Sequence, residues 1–454
     1  MSLVVVAEPS IDRTDERTVV RVDVTVPGSL PRTVEYVLPP VAVDRQQVID
    51  AMFVVGRLVA MKEGWRLVLP GPVSRRLVDR AEIMQDIMLE WYPWYTKPIP
   101  LDFEVAEPLD LPPDRGAIST FTGGVDSFHT VLENRERLTE LLFIHGMDIR
   151  LEETDFRIRV SKELSAAAAD IGLPLLQVET NVRELTDPYA SWGKKAHGSI
   201  LSSVAILLAE RADTFLIPGS RLRSTVRGVG WGSHVLIDRL NSTDYLSVVH
   251  DSADITRHSK TARVAQSETG LRYLRVCYSS TEEYNCGTCP KCRRTQLDLD
   301  LVGVTDTERI FAESVPIPEV LAEFEIPTPG ALNFAQQTVR VARSLGRDDV
   351  VLALKRAIHR YEAEEVTKHA LRLQYTLRRH PEFLEAFPPR QRKAKRPKPR
   401  RRAQPPPPPP PPPTLRAVIA HRLPDSVAGP LRQLVRRTRG AKSSVLGRPR
   451  ADHL

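Results

Sequence analysis

From Thr18 to Val26 apolar and polar residues alternate with a period of two, the pattern of a strand with one buried face. The period lengthens to that of a helix near 45–61, where Val48, Ile49, Met52, Phe53 and Leu58 recur at helical spacing, and again over 74–91. Together these predict a small α+β module over residues 1–108. The second helix runs into Trp91-Tyr92-Pro93-Trp94-Tyr95, which reads as a packing surface between modules, with a ligand platform as the alternative. Beyond about residue 114 short β-rich runs alternate with helical stretches. Strands are predicted at Ala117–Phe121, Glu140–His145, Leu175–Glu179, Thr214–Pro218, Tyr245–His250 and Leu271–Tyr278. Helices are predicted over 125–137, 153–171 and 198–211, the second stopped by Gly172-Leu173-Pro174. Strands joined by helices of this length imply right-handed crossovers and an α/β fold with a mainly parallel sheet, whose strand order the pattern does not set. The pattern is helical from about 290, with Leu352, Leu354, Ala357, Ile358 and Tyr361 at helical spacing. The expected domains are therefore an α/β domain over 109–304 and a helical extension over 305–388.

Composition changes the picture mainly through its distribution. The chain has 454 residues, 41% of them apolar, which is enough for a large core spread over two or three domains. Its net charge of +7 conceals two opposite parts. Residues 389–454 hold 18 Lys/Arg and two acids, a net +16, so the remainder carries −9. Within the tail, 390–402 contains nine Lys/Arg, and nine consecutive prolines follow at 405–413. The proline run is expected as a polyproline II spacer about 28 Å long, in a tail that lacks the means to build a core. The basic run suits nucleic-acid phosphates, the prolines suit an aromatic groove on a protein partner, and 431–439 forms a short basic amphipathic stretch. Met1-Ser2-Leu3-Val4-Val5-Val6 lacks the basic start of an export signal, and no apolar run approaches the roughly 18 residues that span a bilayer. A soluble, cytoplasmic protein without a transmembrane segment is expected.

Two motifs carry chemistry. Thr122-Gly123-Gly124-Val125-Asp126-Ser127 follows a predicted buried strand and opens a predicted helix. Paired glycines let backbone turn tightly and approach a ligand, and a helix N-terminus offers unpaired N–H groups and a positive dipole end to an anion. Thr122 and Ser127 add hydroxyl donors, and Asp126 suits Mg²⁺; the plain alternative is an ordinary strand-to-helix turn capped by Asp or Ser. The second motif is Cys277, Cys286, Cys289 and Cys292, spaced C-x8-C-x2-C-x2-C and comprising all the cysteines of the chain. Four thiols within so short a segment suit a tetrahedral, structural Zn²⁺ site, with Gly287 allowing the tight turn and a helix starting near Cys292. An Fe–S cluster is the rival, and unrelated buried thiols are the plain reading.

The hexapeptide resembles the SGGxDS signature of the PP-loop ATP pyrophosphatases, with Thr122 in place of the usual serine. That resemblance implies a Rossmann-like sheet of HUP type and cleavage of ATP between its α and β phosphates. It also implies adenylation of a substrate oxygen, then displacement of AMP by a nitrogen or sulfur nucleophile. The two motifs together resemble the 7-cyano-7-deazaguanine synthase branch, over about residues 114–300. By that likeness Thr122, Gly123, Gly124, Asp126 and Ser127 bind ATP, and His145 and Gly146 end the strand whose backbone meets adenine. Lys260, in Ser259-Lys260-Thr261, is a looser candidate for a phosphate contact and joins Asp126 and Ser127 as catalytic. Residues 1–108 and those after 305 have no counterpart there, so the substrate is expected to differ.

Sulfur-inserting relatives commonly use cysteines to carry sulfur, and a zinc site holding all four leaves none. Glutamine-dependent relatives need an N-terminal cysteine nucleophile, whereas this chain begins Met1-Ser2. The expectation is an ATP-dependent, AMP-forming ligase that activates a small-molecule carboxylate for attack by ammonia or an amine, with ATP, Mg²⁺ and Zn²⁺. The alternatives are a tRNA- or nucleic-acid-modifying PP-loop enzyme, or a non-catalytic ATP-binding module whose tail 389–454 holds nucleic acid or a partner protein. Substrate candidates lie in two glycine-punctuated loops: His197 in one, His234 in the other, with Arg221 and Arg223 just before the second. Each histidine has capping or packing as its alternative, and each arginine solvent exposure. The oligomeric state, monomer or homodimer, stays open.

Overall fold

Ten strands form one mixed sheet in the computed structural model, which describes residues 2–220, 230–278 and 282–379, with side chains to 368. They are β1 (Leu3–Val6), β2 (Ser10–Arg13), β3 (Thr18–Thr25), β4 (Arg32–Leu38), β5 (Arg66–Val68), β6 (Gly116–Thr120), β7 (Leu138–His145), β8 (Leu175–Thr180), β9 (Ala212–Pro218) and β10 (Ser247–Asp251). Their order is β10-β9-β6-β7-β8-β4-β3-β1-β5, with β2 pairing β3. From β10 to β8 every neighbour is parallel; β4 then pairs antiparallel with β8 through Tyr36↔Thr180, so the N-terminal strands and those of 109–304 share one sheet. Beyond this join β4, β3, β2 and β1 pair antiparallel, and β5 returns parallel to β1.

Burial follows from which faces are covered. β7 is buried at all but one position, as a central parallel strand should be, whereas the outer part of β3 alternates buried and exposed. One core packs the helices Arg45–Ala60 and His197–Leu207 on the sheet, around Phe53, Ile200 and Phe215. A second core lies under the helices Val125–Glu133 and Thr154–Ile171, around Phe121, Phe128, Val160 and Leu164. Asp44 starts the first of these helices with a reciprocal cap to Gln47, and Gly172 in the left-handed region ends Thr154–Ile171 where the Gly-Leu-Pro stop was expected.

Two compact units divide the chain, Met1–His359 and Arg360–Leu454. The sheet belongs to the first, together with helices Pro290–Leu301, Ile317–Ala322 and Pro329–Ser344. The described part of the second is the end of the helix Asp348–Arg379. No helix among the described residues is long and apolar enough to cross a membrane.

Some predicted elements differ. Leu271–Tyr278 is not a strand: Ser267 caps a short helix, Glu268–Arg272, by accepting the Gly270 N–H at 3.0 Å. The backbone beyond it donates to Gly123 O (from Arg275) and to Asn285 Oδ1 (from Val276 and Cys277), so its hydrogen bonds go to loops instead of a ladder. The helix expected over 74–91 breaks at Arg80 into Arg75–Asp79 and Ala81–Trp91. The aromatic run packs in part, for the Trp91 ring lies edge-on to His234 at 4.8 Å and Tyr92 Oη donates to Lys194 O, while Trp94 is exposed.

Candidate functional site

β6 ends between β7 and β9, so the chain leaves it toward one side and later returns on the other. A crevice opens outside the carboxyl end of a parallel sheet at such a reversal. The 122–127 loop stands there. Gly123 has φ +75, and a Cβ on it would lie 3.0 Å from Leu164 Cδ2 and 3.1 Å from Arg275 Cβ, so only glycine fits without displacement. Gly124 precedes the helix Val125–Glu133 without a side-chain cap, which leaves the first-turn N–H groups facing outward. Ser127 Oγ donates to Gly124 O at 3.0 Å and accepts the Thr122 N–H at 3.3 Å, holding the loop closed. Phe121 and Phe128, edge to face at 4.9 Å, anchor both ends in the core.

Cations surround this loop. The helix Arg257–Ala265 is capped by Thr256 and places Arg257 and Lys260 on one face. Arg257 donates to Asp126 Oδ2 at 3.0 Å, and Lys260 Nζ lies 3.6 Å from Asp126 Oδ1 and donates to Gly219 O. Lys260 is only 2% exposed, so it is not a solvated surface lysine. Asp298, 3.7 Å from Arg257 Nε, adds a second carboxylate. Burial would raise the Asp126 carboxyl, but Arg257, Lys260 and Arg294 outweigh it and hold it below the usual carboxylate range. Burial lowers Lys260 against the opposing pull of Asp126, and burial with Arg257 brings Arg294 down to about 10. Asp126 Oδ1 and the donors Arg257 Nη2, Arg275 Nε and Arg294 Nε are buried without hydrogen-bond partners among the described residues. Buried donors without hydrogen-bond partners beside an open helix N-terminus fit an anionic ligand with several oxygens, and Asp126 Oδ1, which has no hydrogen bond and only the Lys260 ion pair at 3.6 Å, fits a second cation.

His145 ends β7 and Gly146 follows it in a turn. His145 Nε2 is 3.0 Å from Gln177 Oε1, its Nδ1 accepts from Arg157 at 3.2 Å, and the ring faces a pocket of about 500 Å³ shared with Arg17, Val37 and Ser161. No hydrogen bond or ion pair among the described residues links this histidine to the 122–127 loop. Gly146 has φ +88, and a Cβ there would collide with Thr180 O. The ring of His197 lies tilted against Trp192, centroids 4.4 Å apart, and burial lowers its pKa. His234 is used in a turn: its N–H donates to Asp238 Oδ1 at 3.2 Å and its Nδ1 accepts from Leu236 at 3.0 Å. Arg221 and Arg223 lie outside the described residues.

The four cysteine sulfurs lie within 4.8 Å of one another, and the cluster can hold a metal ion such as zinc. Cys277 and Cys286 are 3.5 Å apart and Cys286 and Cys292 3.9 Å, near the roughly 3.8 Å between thiolates on a tetrahedral ion with 2.3 Å bonds. Backbone N–H groups of Cys289 and Cys292 donate to the sulfurs of Cys286 and Cys289, each at 3.4 Å. The hydrogen bond with Cys289, then burial, push the Cys292 thiol up, and a divalent ion reverses that balance. Cys289 also caps the helix Pro290–Leu301, which carries Lys291, Arg294 and Asp298. Asn285 fastens the other strand of the knuckle, donating to Leu274 O and Ile310 O.

Sequence reading missed Arg257, Arg294 and Asp298, and it missed a pair near Lys260, His250 and Asp238. Arg257 had a usable signal, sitting one helical turn before Lys260; the others are single polar residues brought in from separate segments. The chain matches no family model, no curated protein and no solved structure.

Proposed function

We propose that this chain is an ATP-dependent, AMP-forming ligase of the PP-loop class, similar to the 7-cyano-7-deazaguanine synthases. The observation that carries the reading is the glycine loop with an open helix N-terminus at the reversal of a parallel sheet, ringed by Arg257, Lys260, Arg275 and Arg294, of which Arg257 Nη2, Arg275 Nε and Arg294 Nε are buried without hydrogen-bond partners among the described residues. The β8-β7-β6-β9-β10 order supports a Rossmann-like reading of this half of the sheet. Thr122, Gly123, Gly124 and Ser127 hold the pyrophosphate portion of ATP, while Arg257 and Lys260 stabilise the charge that builds on it as it leaves. Asp126 would hold Mg²⁺, which would supply charge neutralisation for the departing pyrophosphate. A substrate carboxylate oxygen attacks the α-phosphorus, the bond to the bridging oxygen breaks, and pyrophosphate departs with the bonding pair. Ammonia or an amine then attacks the acyl carbon, AMP leaves, and an amide forms. The cysteine centre is a structural zinc site, since four thiolates leave no position open for substrate.

The test incubates the purified protein with ATP, Mg²⁺, ammonium and a small-molecule extract of cells. AMP and pyrophosphate should appear only with extract, and Asp126→Ala should lower pyrophosphate release at least about 100-fold. ADP as the product, or undiminished release by the variant, overturns the reading.

A further inference from the structure

His250 and Asp238 form a second buried pair, at the carboxyl end of β10. His250 Nδ1 is 2.7 Å from Asp238 Oδ2, and the two side chains are 5% and 0% exposed. Asp238 is itself held: Ser233 Oγ donates to Oδ2 at 2.7 Å, and the His234 N–H donates to Oδ1 at 3.2 Å. A carboxylate fixed in this way keeps the proton of a neutral imidazole on Nδ1 and leaves Nε2 as an acceptor. No described residue hydrogen-bonds to Nε2. That atom borders Gly219, where an added Cβ would lie 2.7 Å from it and 2.5 Å from Asp251 O. The Gly219 carbonyl accepts from Lys260, whose Nζ lies 3.6 Å from Asp126. The imidazole therefore lies against Gly219, whose carbonyl binds the lysine that pairs with Asp126.

We propose that His250 is the proton acceptor for the nitrogen nucleophile of the ligase reaction, with Asp238 as its positioning residue. This rests on the ligase reading given above and assigns the second half-reaction to a separate group. The proton of ammonium, or of a protonated amine, passes to Nε2. The freed nitrogen lone pair forms the new C–N bond, the acyl C–O bond breaks with its electrons leaving on AMP, the second proton shed by the acylated nitrogen passes to solvent, and the imidazolium returns its own proton to solvent. The residues on the phosphate loop act on ATP; this pair acts on what displaces AMP.

The experiment compares the unaltered protein with His250→Gln and Asp238→Asn, using ATP, Mg²⁺ and a small-molecule cell extract. Extract-dependent exchange of labelled pyrophosphate into ATP reports adenylation, and AMP release reports the second step. AMP release is measured with ammonium and with hydroxylamine, which is already largely unprotonated at neutral pH. Both variants should keep the exchange, lose ammonium-driven AMP release about 100-fold, and keep most of the hydroxylamine-driven release. Equal losses with the two nucleophiles, a parallel loss of exchange, or undiminished ammonium-driven release overturns the role of the pair. Absence of extract-dependent exchange in the unaltered protein overturns the ligase reading, and the role with it, and is told apart because exchange needs no nitrogen nucleophile.

Discussion

Asp50 is an acid with no exposure at all, on the helix Arg45–Ala60 between β4 and β5. It accepts from the Ser74 N–H at 2.8 Å, from Ser74 Oγ, from Tyr245 Oη at 2.8 Å and from Gln46 at 3.1 Å. Burial outweighs these bonds and raises its carboxyl to about 6. Between the unfolded value near 4 and this raised one, the folded protein binds more protons than the unfolded chain, so stability falls as pH rises through that window and is level above it. The slope amounts to on the order of 3 kcal/mol across the window. Urea unfolding at several pH values should find this loss in the native chain and its absence in Asp50→Asn; parallel curves would contradict it. Neither Asp50 nor His250 stands out in the sequence. A lone polar residue within an apolar helix or beside a strand carries no sign of whether its partners, here Ser74 and Tyr245 or Asp238, come from far along the chain.

Among the elements, the helix Pro290–Leu301 joins the two chemistries. Its first turn is fixed to the cysteine cluster by Cys289 and Cys292, and the same helix carries Arg294 and Asp298 toward Arg257. Gln296 ties it further, donating to Gly287 O at 2.7 Å and accepting from Val315 at 2.9 Å. Cys286→Ser should lower bound zinc from one per chain, measured by elemental analysis, and should weaken ATP binding as well as lower the melting temperature. Unaltered metal content would contradict the cluster as a metal site, and unaltered ATP affinity would separate it from the 122–127 loop. The cysteine cluster was legible because its four thiols fall between Cys277 and Cys292 at a spacing that suits a metal ion, and the 122–127 turn was legible as paired glycines between a strand and a helix. The strands around them were legible as apolar runs. The segment after Leu271 was misread because its apolar residues face a loop-lined core, where Asn285 supplies the acceptor that a neighbouring strand would otherwise provide.

At the scale of the whole molecule, charge is divided: residues 389–454 carry +16 and the rest −9. Retention on immobilised nucleic acid should therefore fall steeply with salt and vanish when 389–454 is removed, with ATP turnover unchanged; retention by the truncated chain would contradict this. What periodicity left unspecified was the order of strands, because pairing partners are chosen by tertiary packing and not by neighbours in sequence. That order matters most where β4 meets β8. Tyr36 is synthesised early and pairs across the sheet at Thr180, so at usual translation rates β4 waits roughly 7 to 30 s for its neighbour. During that interval its edge is an open row of backbone donors and acceptors, which makes synthesis, more than the finished fold, the stage at which this protein is exposed to mispairing.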